Sequence, residues 1–130
     1  MSSKGKYEQF ATVRECDPQG DILHVFGDVD LSTASELNRS IDEALAECAT
    51  LKIDLTECRY FDSSGLATLA RARQHLGSAL TVVVRPHTGV YRTLRVVGFD
   101  KIFNLVTQLQ PDGLAHRNAT GGVESMRAGC

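Results

Sequence analysis

Apolar positions change period along this chain, and each change predicts an element. Leu51-Lys52-Ile53-Asp54-Leu55 alternates strictly, the pattern of a strand with one face in a core, leaving Lys52 and Asp54 toward a wetter surface or a pairing neighbour. Leu37, Ile41, Ala44, Leu45 and Cys48 instead form one stripe at helical period, with Glu36, Arg39, Asp42, Glu43 and Glu47 mostly elsewhere. Thr33 and Glu36 precede that stripe at capping-box spacing, so a helix is predicted to start there. Extended stretches from about Glu8 to Glu15 and from about Asp21 to Phe26 flank the turn cluster Cys16-Asp17-Pro18-Gln19-Gly20, which predicts a hairpin.

Further on, a helix is expected over about 65–76, with Leu66, Leu69, Ala70 and Leu76 inward and Gly77 as its stop. Leu80 to Val84 reads as a continuous apolar strand. Thr88 then caps a short helix with Val90, Leu94 and Val97 on one face and Gly98 closing it, and a last short strand is expected near Ile102 to Val106. This order predicts an α/β single domain with a mixed β-sheet, antiparallel at the N-terminal hairpin and parallel through the alternating helices and strands. In such a sheet each helix starts where a strand ends, so Asp28 to Thr33, Asp62 to Gly65 and Arg85 to Thr88 are expected to converge on one edge. Pro111-Asp112-Gly113 and Gly121-Gly122 interrupt any later period. The expected division is therefore a flexible lead over 1–7, the domain over 8–109 and a disordered tail over 110–130, with a terminal helix around Leu114 as the alternative for that tail.

Composition narrows the function. A length of 130 residues with 42% hydrophobic content suits one small domain with its own core, which disfavours a two-domain enzyme. A net charge of -2 supplies no basic field for a phosphate backbone, so no direct nucleic-acid partner is expected. No apolar run approaches the roughly 20 residues that cross a bilayer, so no membrane insertion is expected, and the opening Met1-Ser2-Ser3-Lys4-Gly5-Lys6 lacks an apolar signal core. The expected compartment is the cytoplasm. Cys16, Cys48, Cys58 and Cys130 form no C-x-x-C pair and stand near no histidine at a zinc-ligand interval, so neither a metal, a local redox pair nor any cofactor is expected. Scattered thiols suit a reducing compartment, and Cys48 reads as a small buried hydrophobe.

Asp62-Ser63-Ser64-Gly65 concentrates the chemistry, placing a carboxylate, two hydroxyls and a glycine between a strand and a helix start. One reading is an ordinary cap, since Asp and Ser are favoured there. A nucleophilic serine is a second, but the hydrolase G-x-S-x-G needs glycine two residues before the serine, where this chain has Asp62 before Ser64 and Phe61 before Ser63. Of His24, His75, His87 and His116, only His87 is expected on the matching edge. The third reading is a phosphoacceptor: unpaired N–H groups and the positive end of the helix dipole tolerate an anion, while a dianion beside Asp62, Asp28 and Asp30 would reverse what a partner meets.

Gly27-Asp28-Val29-Asp30 with Thr33-Ala34, Ile53-Asp54-Leu55, Phe61-Asp62-Ser63-Ser64-Gly65-Leu66 and Val97-Gly98-Phe99 together resemble the STAS domain, specifically anti-sigma factor antagonists of the SpoIIAA type. The resemblance spans about Glu8 to Val106. It implies a partner-switching regulator, not itself an enzyme, that binds a cytoplasmic anti-sigma factor serine kinase when unphosphorylated and so regulates sigma-factor-dependent transcription. Phosphorylation by that kinase falls on Ser64, the serine before the glycine, and a serine phosphatase restores the binding form. The resemblance places an acidic partner contact at Asp30 and gives Asp62 a role beside the acceptor, with Asp28, Thr33, Ser63 and Gly65 on the same partner-binding edge. Gly65 is expected to contribute through its unrestricted backbone. The alternative is a non-switching STAS subunit of a lipid transporter or signalling scaffold. The family closes with a helix after its last strand, for which Pro111 to Cys130 offers little support.

Overall fold

The computed structural model describes residues 9–102 and 104–108. Strands β1 (Ala11–Glu15), β2 (Asp21–Val29), β3 (Leu51–Phe61), β4 (Leu80–Val84) and β5 (Asn104–Thr107) form one five-stranded sheet in sequence order. β1 and β2 pair antiparallel, and β2 through β5 are parallel, as the α/β reading required. Helices α1 (Ala34–Leu45), α2 (Ser63–Leu76) and α3 (Gly89–Val96) cross between the parallel strands. A four-residue helix α4 (Phe99–Ile102), absent from the sequence reading, precedes β5. The expected lead over 1–7, the first residue of the expected opening strand and the tail over 110–130 lie outside the described residues.

All three crossing helices cover one face of the sheet. Leu37 and Ile41 of α1, Leu69 and Ala72 of α2, and Val90 and Leu94 of α3 share a single buried cluster with Leu23, Val25, Ile53, Leu55, Val82 and Val84 from alternate strand positions. Burying a side chain such as Leu37 or Ile41 contributes roughly 1.5–3 kcal/mol each. Leu45 and Cys48 pack against the rim of that cluster, so the α1 stripe is used as the periodicity required. Ala70, expected inward, is exposed, and Gly65, Thr68, Leu69 and Ala72 form the buried face of α2 instead. Thr68 tolerates burial because its hydroxyl donates to the Gly65 carbonyl at 2.7 Å. Val97 is exposed because α3 ends one residue before it.

The opposite face mixes polar and apolar residues at the alternate positions. Across it, Val13, His24, Asp54, Val83 and Val106 lie in register as one row through all five strands. His24 is clamped there between Asp54 Oδ2 at 2.8 Å and Glu15 Oε1 at 2.7 Å, and Asp54 Oδ1 in turn accepts from the Thr56 N–H and hydroxyl. Asp54 thus faces away from the core and pairs with a neighbour, as its place in the alternation implied. Among the described residues no helix is long and apolar enough to cross a membrane, and no group of three or more His, Cys, Asp or Glu is placed to hold a metal ion. Cys48 and Cys58 are free thiols. Burial pushes the Cys58 thiol up to about 12, so it stays protonated.

Candidate functional site

Both central strands run further than their alternating cores indicated. β2 continues past Phe26 to Val29 while β3 follows it through two bulges, one at Leu55–Thr56 and one at Arg59; Gly27, with a φ of 89°, approaches the backbone of Gln9 and Phe10 so closely that no side chain fits. A Cβ there would stand 2.9 Å from those backbone atoms. β3 continues past Leu55 to Phe61, and the two strands end together, Val29 level with Phe61 and Asp28 level with Tyr60. Asp28 is therefore a strand residue rather than a loop residue, and Arg59 Nε stands 3.5 Å from its carboxylate.

Two loops leave these ends side by side. The Asp62 N–H donates to the Val29 carbonyl at 3.3 Å, which ties the start of α2 to the end of β2. Asp62 then acts as the N-cap expected of it: Oδ1 accepts from the Ser64 N–H at 2.8 Å, and its carbonyl accepts from the Leu66 N–H at 3.1 Å. Ser63 is exposed and Ser64 half-buried, the two hydroxyls occupying the first turn of a helix two residues longer than expected. Gly65 is buried beneath the Phe61 ring, where a Cβ would lie 2.7 Å from ring carbons. Its value is steric rather than conformational, because its place inside α2 needs no special backbone angle.

The neighbouring loop, residues 30–33, is held by its own side chains. Thr33 does not cap α1 with its hydroxyl, so the capping box is not formed. That hydroxyl instead donates to the Asp28 carbonyl at 2.9 Å and accepts from the Asp30 N–H at 3.0 Å. Asp30 Oδ1 accepts from both the hydroxyl and the N–H of Ser32, at 2.8 and 3.0 Å, and these bonds lower its pKa, the hydroxyl most and Thr33 adding to the effect. Asp28, Asp30, Thr33, Asp62, Ser63, Ser64 and Gly65 are thus brought together at one corner.

The third loop expected on this edge, Arg85 to Thr88, leaves the sheet at a lower level than the other two. Val83 pairs with Asp54, so β4 stops level with Leu55 while β3 runs on to Phe61, level with Val29 of β2 and about 13 Å further at ~3.3 Å per residue. Arg85 is accordingly found beside Glu57, at 3.9 Å, partway down β3. His87, the one histidine expected on the matching edge, belongs to that loop and adopts φ 67° just ahead of the Thr88 cap. His24 is held on the sheet face, His75 Nδ1 lies 3.2 Å from the Arg71 carbonyl oxygen, and His116 is outside the described residues. Sequence reasoning missed two features here: Leu31, 82% exposed at the tip of the locked loop, and Tyr60, 52% exposed at the end of β3. The only signal in the sequence was two apolar residues set among Asp28, Asp30, Asp62 and the serines.

Known proteins resemble this chain in sequence and fold. A family model described as "Mlab, STAS domain" matches residues 13–108. The anti-sigma-F factor antagonist RsfB of Mycobacterium tuberculosis is 34% identical over 101 residues, covering 75% of this chain and 83% of that protein. The crystal structure of an anti-sigma factor antagonist from Mycobacterium paratuberculosis superposes with a TM-score of 0.72 at 30% identity, over 78% of this chain and 89% of that one. The anti-sigma factor antagonist SpoIIAA in its unphosphorylated form shares the fold, with a TM-score of 0.57 at 15% identity over 89% and 98% of the two chains.

Proposed function

The chain belongs to the STAS domain family of anti-sigma factor antagonists, and from that premise we propose that it binds a cytoplasmic anti-sigma factor serine kinase through the Asp28–Asp30 and Asp62–Ser64 corner until Ser64 is phosphorylated. The observation carrying this reading is the Asp62 cap: it holds a half-exposed Ser64 in the first turn of α2 while the Asp62 N–H keeps that turn against the end of β2. Asp28, Asp30, Asp62 and Ser63 present the surface that the partner meets. Thr33 and Gly65 serve it by fixing the loop and by letting Phe61 close under the helix.

A phosphate on Ser64 adds about -1.5 to -2 charge next to a carboxylate already committed to the Ser64 N–H. Two unit charges about 4 Å apart interact by ~1 kcal/mol in water and by roughly 4 kcal/mol at an effective dielectric near 20. Docking that strips water from the corner moves the interaction toward the larger figure, a hundredfold or greater change in affinity. The kinase supplies the chemistry, and a serine phosphatase returns the chain to its binding form.

Incubating the chain with ATP and candidate anti-sigma factor kinases, mapping the added phosphate by mass spectrometry and comparing partner affinity before and after tests this directly. Phosphate on Ser64 with affinity lost is the expected result. Phosphate confined outside residues 62–65 with affinity unchanged would overturn the proposal. Full binding by Ser64→Asp with the fold intact would instead favour a permanent assembly subunit.

A further inference from the structure

We infer that Leu31 and Tyr60 form the apolar centre of the partner-binding corner, and that the surface they fit is an apolar socket on a protein partner, rimmed by arginine or lysine. This rests on the partner reading of the same corner and names what the partner must offer.

Leu31 is the most exposed large hydrophobic among the described residues, at 82%. Nothing in the packing explains that exposure, since Leu31 belongs to neither the core nor its rim. The loop that carries it is nevertheless rigidly specified. The Thr33 hydroxyl bonds to both Asp28 and Asp30, and the Asp30 carboxylate takes both donors of Ser32, so the loop is fastened on either side of a leucine that projects into water. Thr33 gives up capping α1 to do this. A loop locked in this way loses little conformational freedom on docking, so an apolar side chain at its tip is pre-organised for burial.

Tyr60 supplies the second half. It lies level with Asp28 at the end of β3, two residues before the Asp62 cap, and is 52% exposed. Tyrosine is enriched at the centres of protein interfaces because its ring buries well and its hydroxyl tolerates a wet rim. Asp30 adjoins Leu31, Asp28 is level with Tyr60 and Asp62 follows it by two residues, while among the ion pairs of these three carboxylates the described residues show Arg59 beside Asp28. That excess of negative charge selects a partner with a basic rim, and phosphorylation of Ser64 would add to it.

The test uses the full chain and its Leu31→Ser, Leu31→Met and Val96→Ser variants. Val96 is a control, 77% exposed on α3. Affinity is measured for the anti-sigma factor kinase that phosphorylates the chain, with thermal unfolding as a fold check and sedimentation of each chain alone. Leu31→Ser is expected to weaken the complex about tenfold or more, Leu31→Met to retain it, and Val96→Ser to leave it unchanged, all with unaltered melting. Equal affinity of the wild type and Leu31→Ser would overturn this inference while leaving the Ser64 switch standing. Loss at Leu31→Ser with full binding by Ser64→Asp would support the socket and sink the switch. Self-association of the wild type that Leu31→Ser abolishes would make the occupant a second copy and overturn it, and absence of any complex with a kinase would overturn both.

Discussion

The Phe61 ring lies against Gly65 so closely that a methyl group on that glycine would stand 2.7 Å from two of its carbons. Phe61 is only 3% exposed, so the ring has little room to yield. Gly65→Ala is therefore expected to destabilise the fold. The overpacking costs about 1–3 kcal/mol, offset by the ~1 kcal/mol that alanine gains over glycine in a helix, for a net loss of about 1 kcal/mol. Urea denaturation measures it, and a Phe61→Leu/Gly65→Ala double variant should lose less than the sum of the two single changes. Strict additivity would show that ring and glycine do not interact.

Thr33 separates two roles that look identical in sequence. If its hydroxyl fastens the 30–33 loop, Thr33→Ser should retain stability, while Thr33→Val should lose about 1–2 kcal/mol by stranding the Asp28 carbonyl and the Asp30 N–H. Thr33→Asn, a strong N-cap, should fail to rescue, because its longer amide does not reproduce the paired bonds. Full rescue by asparagine, read from the denaturation midpoint, would return the residue to the capping role.

His24 makes stability depend on pH in two directions. Its pKa is raised above 6.5, first by the hydrogen bond to Asp54, with burial opposing and Glu15 assisting. A raised histidine contributes stability fully below about 6.5, its unfolded value, and loses that contribution as pH climbs through the folded value. For Asp54, burial pushes the pKa up but is outweighed by bonds from His24 and Thr56, leaving it below 3.8. Its contribution is present above that value and disappears as pH falls through the folded one. The stability gap between the wild type and His24→Asn is thus expected to be widest between about pH 4 and 6.5 and to narrow on both sides. A flat gap across that range would dismiss the clamp.

The sequence showed most of the architecture because the core is built on clean periods. Leu37, Ile41 and Ala44, the alternating Leu51 to Leu55 and the run from Leu80 to Val84 each found the place their spacing assigned. What it hid lies where polar residues enter the elements. Asp28, Glu57 and Arg59 look like loop chemistry, yet they sit on strands carried past the core by two bulges and a long pairing. Thr68 was passed over on α2 because its burial depends on a bond to the Gly65 carbonyl that no hydrophobic count registers. The corner's members were legible as residue types, but Thr33 and Asp62 divide the work differently than expected. Asp62 caps its helix and Thr33 does not, because the Thr33 hydroxyl oxygen accepts from the Asp30 N–H instead of from the first turn of α1.

β3 outruns β4, an eleven-residue strand beside one of five, so the serine turn rides on a cantilever. Within the sheet it is braced on the β2 flank alone. On the other flank no strand stands at that height and α3 packs against β3 instead, so the turn depends there on side-chain packing rather than on a second ladder of backbone bonds.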